Sequence, residues 1–181
     1  MSLPDFQEFP KIPRWSKEVV ITEKLDGTNA GIYINEDKTI VHAASRNRWI
    51  SIGDDNFGFA SWVEANREEL KELGPGMHHG EWWGKGIQRG YGLKEKHFSL
   101  FAVHRWTNER PACCGVVPIL YAGPQYNQGD DEVLLAMDRL AFNGSVAAEG
   151  WMKPEGIVVF HTASRQMYKM SFEMDGGKWR A

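Results

Sequence analysis

Alternating apolar and polar positions predict several β-strands along the chain. Residues 18–25 are typical of a strand, and after the turn at Gly27 the segments 30–34 and 39–44 indicate a hairpin. Five later segments show a similar extended pattern: 77–83, 97–106, 116–122, 155–161 and 166–172. The last two of these are predicted to form a second hairpin.

Two other segments carry apolar residues at helical spacing. The first spans residues 56–73, with Asp54 and Asp55 as candidate N-caps and Gly74 as its stop. The second runs from about residue 130 to residue 142. Many strands and only two helices predict an α+β domain built around antiparallel sheets.

Composition favours an ordinary globular protein. With 181 residues, of which 42% are hydrophobic, the chain is long enough for one domain with a substantial core. A net charge of −3 argues against a strongly basic coat for nucleic acid but leaves room for a local basic groove. Residues 1–17 contain three prolines and are predicted to be an irregular lead-in.

Localisation and redox chemistry follow from what the chain contains. Its uncharged apolar runs are too short to cross a bilayer, and its first residues lack the pattern of a signal peptide, so we expect a cytoplasmic protein without a membrane partner. Cys113 and Cys114 are adjacent, which favours idle thiols over a vicinal redox pair.

Lys24 stands at the predicted end of the first strand, just before an Asp-Gly turn. If residues 20–26 are extended, Thr22, Lys24 and Asp26 share one face. The simpler interpretation is an exposed ion pair, which contributes little to stability. The alternative is a nucleophilic lysine, which needs burial or a nearby cation because only about one free lysine in two thousand is neutral at pH 7.

A lysine that attacks phosphorus also needs carboxylates for a divalent metal and cations for the phosphates. The chain offers such groups far apart in sequence, at Arg46, Glu81, Glu155 and Lys169. Each of them taken singly has an ordinary surface explanation. The functional interpretation of these residues depends on the order in which they occur along the chain.

In that order the segments resemble the motifs of the covalent nucleotidyltransferases, which comprise ATP-dependent RNA and DNA ligases and mRNA capping enzymes. The first motif, K-x-D/H-G-x-N/R, is similar to K-L-D-G-T-N at residues 24–29. Five later motifs are similar to S-R-N-R (45–48), H-G-E-W (79–82), F-S-L-F-A (98–102), E-G-I-V (155–158) and Y-K-M-S (168–171). Asn29 and the segment G-E-W-W-G-K-G-I-Q-R-G (80–90) resemble the ATP-dependent RNA ligase branch of these proteins.

The resemblance implies the nucleotidyltransferase fold, with antiparallel sheets and few helices around a nucleotide cleft. It implies an RNA ligase that uses ATP and Mg²⁺ or Mn²⁺. Lys24 would attack the α-phosphate of ATP to give lysyl–AMP, and AMP would pass to a 5′-phosphate end that a 3′-hydroxyl then seals. The implied partner is RNA with such ends, with DNA as the alternative; the oligomeric state is not implied.

The resemblance also implies roles for individual residues. Glu23 would lie at the adenine edge, Phe101 would stack on the base, and Asn29 would position phosphate. The implied catalytic residues are Lys24, Glu155 and Lys169; the nucleotide-binding residues are Glu23, Asp26, Asn29, Arg46, Glu81, Phe101 and Lys169; the metal ligands are Glu155 and Glu81.

Some positions depart from the family pattern. The last motif usually carries a second lysine where this chain has Ser171, and the chain ends ten residues later. We therefore expect a single adenylyltransferase domain over residues 1–181, without an OB-fold or other C-terminal domain. The rival hypotheses are a small DNA ligase, a capping-type nucleotidyltransferase, and a non-catalytic nucleotide- or RNA-binding module.

Two further features lie near the motifs. The glycine-rich segment 84–92 lacks the G-K-[ST] of a phosphate-binding P-loop and is predicted to be a flexible loop whose Lys85 and Arg89 could face phosphate or RNA. Among the eight tryptophans, Trp49, Trp82 and Trp83 could stack on bases, although tryptophans are core residues by default.

Overall fold

The computed structural model of the protein describes residues 5, 7–14, 18–106 and 108–173. Within the predicted lead-in, residues 5 and 7–14 form no helix or strand, and the other positions lie outside the described residues. No helix in the described ranges has the length and apolar character needed to cross a membrane.

Strands make up most of the described secondary structure. They are β1 (Glu18–Lys24), β2 (Thr28–Ile34), β3 (Val41–Ser45), β4 (Gly76–Gly84), β5 (Lys96–Leu100), β6 (Cys114–Val116), β7 (Ile119–Pro124), β8 (Tyr126–Asn127), β9 (Asp130–Asp131), β10 (Gly156–His161) and β11 (Gln166–Ser171). The α-helices are α1 (Phe59–Ala65), α2 (Arg67–Leu70), α3 (Val103–Trp106) and α4 (Glu132–Asn143). Single 3₁₀ turns occupy Lys71–Leu73 and Gly90–Gly92.

The first sheet has the strand order β11-β10-β1-β7 and is antiparallel throughout. β1 is an inner strand, and Lys24 at its end pairs in register with Gly156 of β10. Helix α4 covers one face, where its Ala136 and Leu140 pack on Ile21 and Ile157. The opposite face carries Lys24, because side chains alternate along a strand.

The second sheet has the order β3-β2-β4-β5-β6. Its first four strands are antiparallel, but β6 pairs with β5 in parallel, as in the register Phe98 to Cys114. A parallel neighbour needs a crossover, which the segment containing α3 provides. One face of this sheet packs on α1 in the largest core, where Phe59, Phe98 and Trp82 meet.

Several predicted elements are confirmed. The hairpin of β2 and β3, the strand β4, the hairpin of β10 and β11, and helix α4 all lie close to their predicted ranges. The predicted α+β class with few helices is confirmed. The sheets are antiparallel as predicted, apart from the short parallel pairing of β6 with β5.

The predicted helix over 56–73 is broken into α1, α2 and a 3₁₀ turn. The break lies at Asn66, which leaves helical backbone angles and whose side-chain amide donates to the carbonyl of Trp62 (2.8 Å). Asp55 does serve the start of α1, since its carboxylate accepts from the backbone N–H groups of Ala60 and Ser61. Gly74 ends the last turn as predicted.

The predicted strands at 97–106 and 116–122 are shorter than expected. The first ends at Leu100, and the chain then turns into α3, so the prediction is wrong over 103–106. The second is divided at Pro118, which separates β6 from β7. A proline has no N–H to donate to a sheet, which explains the interruption.

Candidate active site

Lys24 and Glu155 form an ion pair where the two inner strands of the first sheet meet. Lys24 is the last residue of β1 and pairs in register with Gly156, so Glu155 lies directly beside it. The distance between Lys24 Nζ and Glu155 Oε1 is 2.5 Å, and the two side chains are 23% and 16% exposed. This pair is therefore half sheltered from water but still accessible to a ligand.

The second oxygen of Glu155 is unusual. Glu155 Oε2 is buried and has no hydrogen-bond partner among the described residues. An unpaired buried carboxylate oxygen destabilises the folded state, and such groups in native proteins commonly bind an ion or water.

The following residue, Gly156, has φ 148°, and a Cβ there would lie 2.1 Å from the carbonyl oxygen of Met170. Glycine at this position therefore allows β10 to begin close to β11.

Glu81 holds the turn that follows Lys24. Its Oε1 accepts from the backbone N–H of Gly27 (3.1 Å), and its Oε2 accepts from the side-chain amide of Asn29 (2.9 Å). Asn29 and Glu81 are cross-strand partners on β2 and β4. Gly27 has no room for a side chain, since a Cβ would lie 2.4 Å from the carbonyl oxygen of Trp82.

Burial perturbs the titration of Glu81. Removal from water raises the pKa of Glu81 to about 7, against the opposing effects of Asn29, the Lys24 charge and the Gly27 N–H. The negative charge of Glu155 adds to the rise. Lys24, Glu81 and Glu155 thus influence one another electrostatically and form one charged cluster.

The loop 84–92 closes over the same turn. The hydroxyl of Tyr91 accepts from the backbone N–H of Asp26 (2.8 Å), and Arg89 Nε lies 2.8 Å from Asp26 Oδ2. Arg89 Nε makes no well-aligned hydrogen bond, so the contact with Asp26 is an ion pair without directional bonding. The other side of the guanidinium contacts Glu173 at 3.0 Å.

Arg89 is therefore a charged member of the site. Burial disfavours its guanidinium charge, but the carboxylates of Glu173, Asp26 and Glu155 outweigh this and raise the pKa of Arg89. The sequence predicted that Lys85 and Arg89 could face phosphate or RNA. Only Lys85 is exposed, whereas Arg89 is directed at carboxylates of its own chain.

The side chain of Glu23 is directed into the protein. Its side chain is only 1% exposed and projects from the face of β1 opposite to Lys24. One oxygen accepts from the Ser145 hydroxyl (2.6 Å), and the other accepts from the N–H groups of Val146 (2.8 Å) and Ala147 (2.9 Å). These bonds occupy both carboxylate oxygens, and the position of Glu23 at the adenine edge stays a prediction. Its place is to anchor the loop after α4.

Three other predicted residues lie in or next to further strands. Arg46 is exposed in the turn after β3 and has no ion-pair partner within the described ranges. Phe101 is 39% exposed directly after β5, where its backbone N–H donates to the carbonyl of His79. Lys169 is exposed on β11, opposite Val158 of β10. The structure thus gathers Lys24, Glu155, Glu81, Asn29 and Asp26. The roles of Arg46, Phe101 and Lys169 at the site stay predictions.

The carboxylates of the candidate site are only partly suited to bind a metal ion. No group of three or more His, Cys, Asp or Glu side chains able to hold a metal occurs in the part of the chain that the structure describes. Glu155 offers a free buried oxygen, whereas both oxygens of Glu81 are already engaged. Because Mg²⁺ is commonly bound by one or two carboxylates together with substrate phosphates, Glu155 alone suits that arrangement.

Comparison with known proteins agrees with the resemblance found in the sequence. A family model described as RNA ligase matches residues 17–172. A mutant of Naegleria gruberi RNA ligase with ATP and Mn is similar in structure, with a TM-score of 0.64 and 20% identity, covering 86% of this chain and 50% of that one. A mutant of the same ligase with AMP and Mn gives a TM-score of 0.60 at 21% identity, covering 86% and 49%. None of the curated proteins matches the chain.

These structural similarities establish the fold. The described chain has the fold of the matched part of the Naegleria ligases, which confirms the predicted nucleotidyltransferase architecture. The chain spans about half the length of those proteins.

Proposed function

Because the chain belongs to the RNA ligase family, whose model matches residues 17–172, we propose that it is an ATP-dependent RNA ligase that works through a lysyl–AMP intermediate at Lys24. The observation that carries this proposal is the half-sheltered Lys24–Glu155 pair, 2.5 Å apart, beside the clamped turn of residues 26–29. A merely structural surface ion pair would have no need of a second, unpaired carboxylate oxygen.

The first step is attack by Lys24 on the α-phosphorus of ATP. Nζ forms a bond to that phosphorus while the bond from phosphorus to the oxygen of pyrophosphate breaks, and pyrophosphate leaves. An ammonium group has no lone pair, so Nζ must first lose a proton. Glu155 Oε1 is in place to accept it, and the exposed fraction of the pair allows the proton to pass to water.

The ligand set is proposed from the family and from its solved structures. Naegleria RNA ligase structures contain ATP or AMP together with Mn, and we infer ATP with Mg²⁺ or Mn²⁺ for this chain. Glu155 would hold the metal through Oε2, and the bound metal would supply positive charge to the phosphates. Arg46 and Lys169 would contribute further cations at the phosphates, and the exposed ring of Phe101 would stack on adenine.

The later steps transfer the adenylate and seal the strand. An oxygen of a 5′-phosphate attacks the phosphorus of lysyl–AMP, the phosphorus–nitrogen bond breaks, and Lys24 recovers a proton. A 3′-hydroxyl then attacks the activated 5′-phosphate, and AMP leaves as the phosphodiester forms. RNA is the substrate that the family implies; its 5′-phosphate and 3′-hydroxyl ends are part of the proposal.

Strand joining is tested with nucleotide labelled at the α-phosphate. Wild-type protein incubated with labelled ATP and Mg²⁺ or Mn²⁺ should acquire label and should then pass it to 5′-phosphorylated RNA. Parallel reactions with GTP, with nicked DNA and with RNA that lacks a 5′-phosphate separate this function from capping-type and DNA-ligase activities. Label that stays on the protein in the presence of every nucleic acid would contradict the ligase function.

A further inference from the structure

One face of the second sheet runs outward from the candidate site. Alternate residues of β2 and β4 share this face, because side chains alternate along each strand. From the site outward it carries the cross-strand pairs Asn29–Glu81, Gly31–His79 and Tyr33–Met77. The face that holds the ion-pair clamp therefore continues, without a change of sheet, to Tyr33.

Three rings gather at the outer end of this face. The tight turn after β3 brings Trp49 back to pair with Ala44, which directs the indole over the sheet. The ring centroids of Trp49 and Tyr33 are 5.8 Å apart in an edge-to-face arrangement, and those of Trp49 and His42 are 5.5 Å apart. We call Tyr33, His42 and Trp49 the ring patch.

The ring patch is exposed although it includes the large aromatic side chains of Trp49 and Tyr33. Trp49 is 54% exposed and Tyr33 is 36% exposed, whereas the other face of the same strands lies in the main core. Between the patch and the Asn29–Glu81 pair, the floor includes Gly31 and Ala44, two of the smallest residues. Both are covered by neighbouring side chains, since Met77 Sδ and His79 Nδ1 lie 3.3 and 3.5 Å from the position of a Cβ on Gly31. A ligand on this face would therefore contact His79 and Met77 between the site and the rings.

The turn between the candidate site and the ring patch carries an exposed cation. Arg46 belongs to the turn that positions Trp49, is exposed, and has no ion-pair partner within the described ranges. Arg48 in the same turn is held by Asp54. Exposed rings on the same face as a cationic phosphate site are the combination that binds single-stranded nucleic acid, with bases stacked on the rings and phosphate at the site.

The length of this face determines how many nucleotides can lie between the candidate site and the ring patch. Tyr33 is four residues beyond Asn29 on one strand, which corresponds to about 13 Å at about 3.3 Å per residue. A stacked nucleic-acid strand advances about 3.4 Å per nucleotide, so about four nucleotides span this distance.

We propose that the ring patch stacks an unpaired base of the RNA strand, about four nucleotides from the position of Asn29 in the candidate site. This proposal rests on the proposed function, because the register is counted from the nucleotide site of that function. It assigns to Trp49 the role of an RNA-binding residue that has no part in the reaction with ATP.

The test compares RNA length with the presence of the ring. Binding of a 3′-fluorescein, 5′-phosphorylated uridylate octamer and of the corresponding dinucleotide is measured by fluorescence anisotropy for wild type and Trp49→Ala. We expect the variant to bind the octamer at least about fivefold more weakly and the dinucleotide unchanged. Trp49→Phe keeps a ring and should restore most of the octamer affinity.

The matched control is Phe142→Ala, which removes a ring that is 85% exposed on α4, away from this sheet. It should leave octamer binding unchanged. Equal octamer affinity in wild type and Trp49→Ala, or an equal loss in Phe142→Ala, would overturn the proposal. A wild-type dimer that Trp49→Ala converts to monomers would also overturn it, since the face would then belong to a second copy.

Labelling of Lys24 by ATP without RNA separates this proposal from the function on which it rests. Trp49→Ala should be labelled at the wild-type rate. If neither protein is labelled but octamer binding still depends on Trp49, the ligase proposal fails while the ring patch stands. A slower labelling of Trp49→Ala without RNA would assign Trp49 to the nucleotide site and overturn its role in RNA binding.

Discussion

Replacing Glu81 by glutamine should remove a pH dependence from the stability of the protein. Glu81 is 7% exposed, and its two oxygens accept from the Gly27 N–H and the Asn29 amide. Burial raises the pKa of Glu81 from 4.5 to about 7. A glutamine can keep the bond from Gly27, and the exposed Asn29 amide can rotate to suit it, so the variant should fold.

The sign and size follow from linkage. The folded protein binds the proton of Glu81 more tightly than the unfolded chain, so this stabilisation is complete below the unfolded pKa of 4.5 and is lost as the pH rises through about 7. Between pH 5 and pH 8.5 the loss amounts to about 2–3 kcal/mol of unfolding free energy. Glutamine has no such proton, so Glu81→Gln should gain about that amount on the wild type over the same interval.

The assay is urea unfolding of both proteins at intervals from pH 5 to pH 8.5. The raised pKa of Glu23 and the lowered pKa of His78, both caused mainly by burial, also affect stability, but they are common to both proteins and cancel in the difference. Glu36→Gln, at an exposed turn, is the matched control and should give a constant difference. If the difference between wild type and Glu81→Gln were also constant with pH, the assigned environment of Glu81 would be refuted.

Three further substitutions test separate parts of the site. Glu155→Ala should slow labelling of the lysine at least about 100-fold without changing the far-ultraviolet circular dichroism, and a normal rate would remove Glu155 from the site. Arg89→Met should lower the urea midpoint and the labelling rate, because Asp26 loses its ion pair at a cost of about 1–3 kcal/mol of unfolding free energy. Lys85→Met in the same loop should change neither quantity. Equal effects of the two substitutions would contradict the assignment of Arg89 to the site. Glu23→Ala should cost about 2–4 kcal/mol of unfolding free energy and should leave the ATP affinity measured by calorimetry unchanged. Lost affinity at unchanged stability would indicate that the Glu23 side chain contacts adenine instead.

Local patterns were sufficient to predict the elements that place Lys24. Period-two alternation gave β1 and the hairpin of β2 and β3, and the Asp-Gly turn between them positions the lysine at a strand end. The resemblance to ligase motifs then predicted that Glu81 and Glu155 would come near Lys24, and both are members of its charged cluster.

Long-range contacts were beyond the reach of sequence patterns. Tyr91 and Asp26 are 65 positions apart, and nothing in a glycine-rich segment predicts that it closes over a particular turn. The side of β1 on which Glu23 lies follows from alternation with Lys24, but its partners after α4 are more than 120 positions away. The helix break at Asn66 depends on one local bond to Trp62 that competes with helix continuation.

The most direct test of the central claim is the intact mass of the protein after incubation with ATP and Mg²⁺ or Mn²⁺. Wild type and the control Lys85→Ala should each gain the mass of one AMP, and Lys24→Ala should gain none. Absence of the adduct in wild type with both metals, or an equal adduct in Lys24→Ala, would contradict the assignment of Lys24 as the nucleophile.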